Sequence, residues 1–144
     1  MLPNSRALFF WYKHAFRNGQ SYSKRVRRIV PQWFELRRLL CQMLTLSEIR
    51  KGVERHAPSA RRERFKQWLE IALPNRFGNN VLHVDLEIAD RWGRLTVDQA
   101  RTPRPIVDSL LAATAFTHGL TLVTRDTDFV GIPGLEIFNR WALE

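Results

Sequence analysis

The sequence predicts an α/β domain in which helices cover a parallel sheet. From residue 44 onward, short β-rich runs alternate with segments whose apolar residues recur at three- and four-residue spacing. Residues 105–129 form the clearest unit, with a helical pattern, a glycine, an apolar run and then two aspartates. Strands that alternate with helices favour a parallel sheet, since parallel neighbours need a crossover connection.

The length and composition indicate a single globular domain. A chain of 144 residues can bury one core, and its hydrophobic content of 44% is ordinary. No apolar run approaches the roughly 20 residues of a membrane span. The apolar residues 7–12 are too few for a span, and because no small-residue cleavage site follows them, a signal peptide is not expected. The single cysteine, Cys41, excludes an intrachain disulfide and agrees with a cytoplasmic protein.

The positive charge is concentrated in the first 42 residues. Of the 23 basic and 14 acidic side chains, nine basic and one acidic lie in residues 1–42, which therefore supply +8 of the net charge of +9. A basic end is typical of an arm that grips nucleic acid, or of a segment outside the folded domain. We therefore divide the chain into an atypical basic segment, 1–42, and a domain, 43–144.

The first half carries weaker patterns. Residues 7–16 are compatible with a strand or with a buried helical turn, and Pro31 precedes an apolar pattern that suggests a helix over 32–44. Residues 45–48, Thr-Leu-Ser-Glu, fit a capping box that opens a helix over 46–56.

The second half carries stronger ones. Ser59 begins a second helix whose apolar stripe faces a core, and Pro74 with Gly78 is expected to end it. A third helix is predicted over 86–100, and a fourth from Pro105 to a glycine stop at Gly119. Short strands are predicted at 81–84, 121–124 and 135–138.

Two aspartates are expected to lie close together at one edge of the predicted sheet. Asp108 lies near the start of the fourth helix, and Asp126 follows the strand after it. In a parallel α/β sheet, helix N-termini and strand C-termini open onto the edge where ligands bind. Converging carboxylates suggest a divalent metal, which in turn suggests phosphodiester chemistry.

Each of these residues also has an explanation without function. Asp108 in a first helical turn is favourable for the helix dipole. Asp126 and Asp128 are ordinary turn residues, and Thr124 an ordinary strand position. The capping box accounts for Glu48. The metal hypothesis therefore depends on the combination.

Other chemistry is poorly supported. The four histidines are scattered, and His118 suits a helix end. Cys41 has no catalytic partner nearby and is expected to be buried and inert. The basic run 61–66 is expected to be a solvated helix face, and Arg125 either contacts a phosphate or covers the surface.

Several motifs occur in the order of a known family. PIVDSLLAATAFTHGLTLVTRDTDF (105–129) resembles the C-terminal signature of PIN-domain ribonucleases, specifically the VapC toxins of bacterial toxin–antitoxin modules. LTLSEIRKGVERH (44–56) resembles the long helix after that family's second strand, and DRWGRL and LEIFNRW match too. The resemblance covers residues 43–144.

The resemblance implies a three-layer α/β/α fold and RNA cleavage that depends on Mg²⁺ or Mn²⁺. It also implies a VapB-type antitoxin, a homodimer and no membrane association. The family's second, third and fourth acids fall on Glu48, Asp108 and Asp126. Asp128 matches an accessory acid in a loop one residue shorter than usual, and Thr124 matches the hydroxyl residue before the fourth acid.

The chain departs from the family at its first acid. The family opens with a strand that ends in a Leu-Asp-Thr-Asn type motif, but this sequence has no aspartate before Asp85. The N-terminal strand is therefore atypical or missing. Residues 1–42 come from a shifted reading frame or wrong start, belong to a degenerate member, or form an acquired RNA-binding arm.

Two functions follow from these observations. The chain is a metal-dependent endoribonuclease toxin, or it is an inactive relative that binds an antitoxin or RNA without cleaving it. The absent first aspartate favours the second for the chain as written, whereas the first is the better description of the domain itself and is the function that we predict. The RNA target is not encoded in any feature that can be read from the sequence.

Overall fold

The computed structural model describes residues 7–9, 39–98, 104–124 and 126–139. Five strands form one sheet in the order β3-β2-β1-β4-β5, and every neighbouring pair is parallel. They are β1 (Ala7–Phe9), β2 (Leu39–Gln42), β3 (Val81–Leu82), β4 (Thr121–Val123) and β5 (Ile137–Phe138). The predicted parallel sheet is confirmed.

Helices connect and cover these strands. They are α1 (Met43–Glu54), α2 (Ala60–Gln67), α3 (Leu73–Phe77), α4 (Leu86–Asp98) and α5 (Ile106–His118). Two buried clusters show the layering, because adjacent residues of β4 point to opposite faces. Val123 packs with Ile49 of α1, and Leu122 packs with Leu111 of α5. The three-layer α/β/α prediction is confirmed. Within the described ranges, no helix has the length and apolar character to cross a bilayer.

The N-terminal strand is present and central. In β1, Leu8 lies opposite Leu40 of β2 and Leu122 of β4. Of the two structures that the sequence allowed for this run, the strand is the one that forms. Residues 10–38 lie outside the described residues, so the division of the chain at residue 42 stays a prediction.

The helix predicted over 32–44 is wrong at its C-terminal end. Leu39–Gln42 is a strand paired on both sides, with β1 and with β3. A short apolar run fits a buried strand as well as a helical turn, and only the partners across the sheet decide between them. Residues 32–38 lie outside the described part of the chain.

The capping box predicted at residues 45–48 is also wrong. Helix α1 begins two residues earlier, at Met43, because β2 runs directly into it without a loop. The Gln42 side chain is the cap, and its Oε1 accepts a hydrogen bond from the backbone N–H of Leu44. Thr45 lies inside the helix and is fully buried. Glu48 therefore has no capping role.

Pro74 does not end the second helix. Ser59 caps α2 as predicted, accepting from Arg62 N at 3.1 Å, and the helical backbone then continues to Phe77. A π-helical turn at Trp68–Ala72 joins α2 to α3 just before the proline. A wider turn accommodates a residue that lacks a backbone N–H, which an α-helix interior does not. Gly78 ends the helix, as predicted.

The fourth helix ends as predicted. Gly119 has φ 59° and ψ 43°, the left-handed conformation that glycine adopts without steric cost. Leu120 N donates to Ala115 O at 2.8 Å, which closes the helix end and turns the chain into β4. The strands predicted near β3, β4 and β5 are present but shorter.

Cys41 lies fully buried in β2, as predicted. Desolvation raises the pKa of its thiol from 9.0 to about 12. The neutral thiol is therefore favoured in the folded state. The buried neutral thiol makes its full contribution to the free energy of unfolding below pH 9.0, and this contribution is lost as the pH rises toward about 12.

We therefore expect the free energy of unfolding to fall above pH 9 by up to about 1.4 kcal/mol per pH unit from this thiol. Urea unfolding between pH 8 and 10.5 measures the effect. Cys41→Ala is the control, since other groups titrate in both proteins. Parallel curves for the two proteins would contradict the shifted pKa.

Candidate metal centre

Three carboxylates meet at the carboxyl end of β4. Asp108 lies in the first turn of α5 and is 4% exposed, whereas Asp126 and Asp128 follow the strand. One ligand atom from each of the three lies within 4.8 Å of the others. The structure thus brings together Asp108 and Asp126, the pair that the sequence placed on one sheet edge, and adds Asp128 to them.

Local hydrogen bonds fix the loop that carries two of these acids. The hydroxyl of Thr124, which is 2% exposed, accepts from the backbone N–H of Asp126 at 3.0 Å. Asp126 Oδ1 in turn accepts from the N–H of Asp128 at 3.0 Å. Asp126 thereby caps a short 3₁₀ turn, Thr127–Phe129. The turn ends on Phe129, whose side chain is fully buried. The two carboxylates therefore project from a backbone that is held at both ends.

The chemistry of the donor set fits a hard divalent cation. Three ionised carboxylates at this spacing repel one another, and a bound cation would offset that repulsion. Mg²⁺ and Mn²⁺ prefer oxygen ligands and commonly use one or two carboxylates together with water and phosphate. The cluster is therefore suited to binding such an ion and holding a phosphate beside it.

Glu48 does not belong to this cluster. It is not among the described carboxylates whose ligand atoms lie within 4.8 Å of one another. Its side chain is 15% exposed and pairs with Lys51 at 3.5 Å. Glu48 does not cap the helix, but its ion pair with Lys51 is a structural role that explains the residue without a metal. A role for Glu48 at the metal therefore stays a prediction.

The basic residues near α2 make mostly structural contacts. No residue of α2 is buried, as expected of a solvated face. Arg50 bonds Glu70 at 2.8 Å, which raises the pKa of the guanidinium, and a hydrogen bond from Arg62 lowers the pKa of Glu54. Since the carboxylates of both pairs, Glu54 and Glu70, are exposed, these ion pairs add little stability. Arg125 lies outside the described residues.

Sequence reasoning missed one polar contact beside the acids. Ser109, directly after Asp108, accepts a hydrogen bond from Trp92 Nε1 at 2.8 Å. The two residues are 17 positions apart, on α5 and α4, so no local pattern could reveal the pair. The helix predicted over 86–100 gives Trp92 no polar role.

A family model supports the assignment of the fold. The model for the PIN domain matches residues 14–135, which is most of the chain. The chain belongs to the PIN domain family.

Relatives place this PIN domain more closely. It is 31% identical over 120 residues to VapC ribonuclease Y4jK of Sinorhizobium fredii, covering 79% of this chain and 85% of that protein. It is 33% identical over 101 residues to ribonuclease VapC4 of Mycobacterium tuberculosis, covering 67% of this chain and 73% of the relative. The resemblance to VapC proteins is therefore confirmed.

Solved structures share the PIN fold. One is the crystal structure of VapBC-5 from Mycobacterium tuberculosis, a member of the VapBC family of toxin–antitoxin systems. It matches with a TM-score of 0.63 and 26% identity, over 92% of this chain and 98% of that chain.

Proposed function

We propose that this protein is the toxin of a type II toxin–antitoxin module and hydrolyses RNA with the help of Mg²⁺ or Mn²⁺. The observation that carries the proposal is the cluster of Asp108, Asp126 and Asp128, whose ligand atoms lie within 4.8 Å of one another. The relatives named as VapC ribonucleases support the reaction class.

Each residue has a distinct part in the proposal. Asp108 and Asp126 hold the ion, Asp128 is an accessory ligand, and Glu48 is the further ligand that the VapC resemblance implies and helps to orient the attacking water. Thr124 acts on the backbone, since its hydroxyl accepts from the N–H of Asp126. When bound, the ion would supply positive charge to the scissile phosphate and lower the pKa of a water molecule.

The proposed partners follow from the relatives. VapBC-5 is described as a member of a toxin–antitoxin family, and we propose a VapB-type antitoxin for this chain as well. A homodimer and a cytoplasmic setting belong to the same proposal. The sequence-based expectation for the setting comes from the single cysteine.

A second candidate function is antitoxin or RNA binding without cleavage. The observation that favours it is the sequence directly after β1, Phe10-Trp11-Tyr12, where the VapC resemblance calls for an aspartate. An ion held by fewer carboxylates binds more weakly, so the chain would keep its partner and lose turnover.

Purified full-length protein incubated with end-labelled RNA tests the two functions. With Mg²⁺ or Mn²⁺ we expect discrete cleavage products, none in EDTA, and recovery when the metal is restored. Co-expression with a candidate antitoxin, followed by co-purification, is measured in parallel. Partner binding without cleavage in either metal would refute the nuclease and establish the second function.

A further inference from the structure

The first turn of α5 lacks the usual cap although it carries Asp108. The residue before the helix is Pro105, with φ −53° and ψ 143°, and it makes no side-chain capping hydrogen bond. The first backbone N–H groups of a helix have no partner within the helix, and the turn frays more easily when its N-cap residue offers no side-chain acceptor. The position of this turn therefore depends on the contacts that its other residues make.

Ser109 provides a connection from this turn to the neighbouring helix. Its hydroxyl, in a residue that is 2% exposed, lies 2.9 Å from Ile106 O and 3.1 Å from Pro105 O, to which it donates. The same oxygen accepts from Trp92 Nε1 at 2.8 Å. The Ser109 hydroxyl therefore connects Pro105 and Ile106, at the start of α5, to the indole of Trp92 on α4.

Helix α4 is a firm anchor for that indole. The side chain of Asp85 caps it, accepting from Ile88 N at 2.9 Å, and Ile88 is fully buried. Trp92 lies four residues further on the same face. Its indole N–H can only donate, and Ser109 is the acceptor that satisfies it.

We propose that Trp92 is a positioning residue for the metal centre: through the hydroxyl of Ser109 it holds the first turn of α5, and with it the Asp108 carboxylate. The part of this proposal that concerns the metal rests on the proposed function. Groups that orient a metal ligand typically change metal affinity about tenfold to a hundredfold when removed. Asp108 and Ser109 are neighbours in the chain, so a displaced first turn displaces the ligand.

Four variants separate positioning from simple packing. Trp92→Phe keeps an aromatic ring and removes the N–H, and Ser109→Ala removes the acceptor. The double variant combines them. Thr114→Val is the matched control, because Thr114 is a fully buried hydroxyl on the same helix that donates to Leu110 O at 2.8 Å, distant in sequence from the acids.

Calorimetric titration with Mn²⁺ measures the effect on the centre. We expect the Kd to rise about tenfold in Trp92→Phe and in Ser109→Ala. The double variant should bind no more weakly than Ser109→Ala, since that change already removes the hydrogen bond from Trp92 together with those to Pro105 O and Ile106 O. Thr114→Val should stay within about twofold of the wild type. Additive losses, or equal losses in the control, would overturn the proposal.

Hydrogen exchange in the metal-free protein tests the positioning itself. The N–H of Ser109, which donates to Pro105 O at 3.0 Å, should exchange several-fold faster in Trp92→Phe, whereas that of Ala115 should not change. Unchanged exchange at residue 109 would overturn the positioning role. Wild-type protein that binds no Mn²⁺ would refute the proposed function instead, and the exchange result would still decide this one.

Discussion

Asp108→Asn is expected to lower metal-dependent RNA cleavage by about a hundredfold or more. The substitution keeps the size of the side chain but replaces a charged ligand by a neutral amide, and even the partners of metal ligands are worth about tenfold to a hundredfold. Asp108 is buried, at 4% exposure, so water cannot easily replace it as a ligand. Initial rates on labelled RNA in Mn²⁺ measure the loss.

Asp90→Asn is the matched control for this change. Asp90 lies on α4, pairs with Arg94 at 2.9 Å and has a side chain that is 65% exposed. Asp90→Asn therefore removes one negative charge from the chain, as Asp108→Asn does, but at an exposed position. We expect its cleavage rate to equal that of the wild type, since exposed pairs contribute little.

Thermal unfolding shows whether Asp108→Asn acts on the metal rather than on the fold. Without metal the variant should unfold at a temperature close to that of the wild type, because the amide keeps the size of the carboxylate side chain. With Mn²⁺ only the wild type and Asp90→Asn should gain stability, as ligand binding to the native state requires. Equal cleavage by the two aspartate variants would refute the assignment of the site.

The features that the sequence predicted well are those with local causes. Helix α5 has a proline before it and a glycine after it, and Gly119 adopts the left-handed conformation that makes it a stop. The placement of Asp108 and Asp126 on one edge follows from the connection of α5 to β4, since short connections leave few topologies. Those two acids could therefore be paired without knowledge of the rest of the fold.

The features that were predicted wrongly depend on distant partners. Leu39–Gln42 becomes a strand because β1 lies on one side of it and β3 on the other. That pairing also moves the start of α1 to Met43, so the capping motif at residues 45–48 falls inside a helix. The helix continues through Pro74 because a π-turn precedes it, and a residue-by-residue propensity does not include that adjustment.

In the metal centre too, some features have local causes and others depend on residues distant in sequence. The spacing of Thr124, Asp126 and Asp128 is local, and so are the hydrogen bonds that order their loop. The contact of Trp92 with Ser109 joins two helices and has no signature in either segment. Local patterns can thus name the acids of a centre, whereas the groups that hold the acids in place come from the tertiary structure.

Phe129→Ala is expected to cost about 3 to 5 kcal/mol of stability, a large part of the total for a domain of this size. Phe129 is fully buried and packs in the cluster that includes Leu111 and Leu122. Truncation loses the burial of a ring and leaves a cavity between α5 and β4. Urea denaturation of the metal-free protein measures the loss.

A substitution at Phe129 is also expected to weaken the binding of the metal ion, because of where the ring lies. The ring anchors the turn Thr127–Phe129, which carries Asp128 and begins at Asp126. Phe129→Leu fills more of the cavity, so it should fold and still bind Mn²⁺ more weakly than the wild type. Val130→Ala is the control, since Val130 is 66% exposed and its truncation should cost no more than about 0.5 kcal/mol. Unaltered Mn²⁺ affinity in Phe129→Leu would show that the hydrogen bonds of the loop hold the acids without the ring.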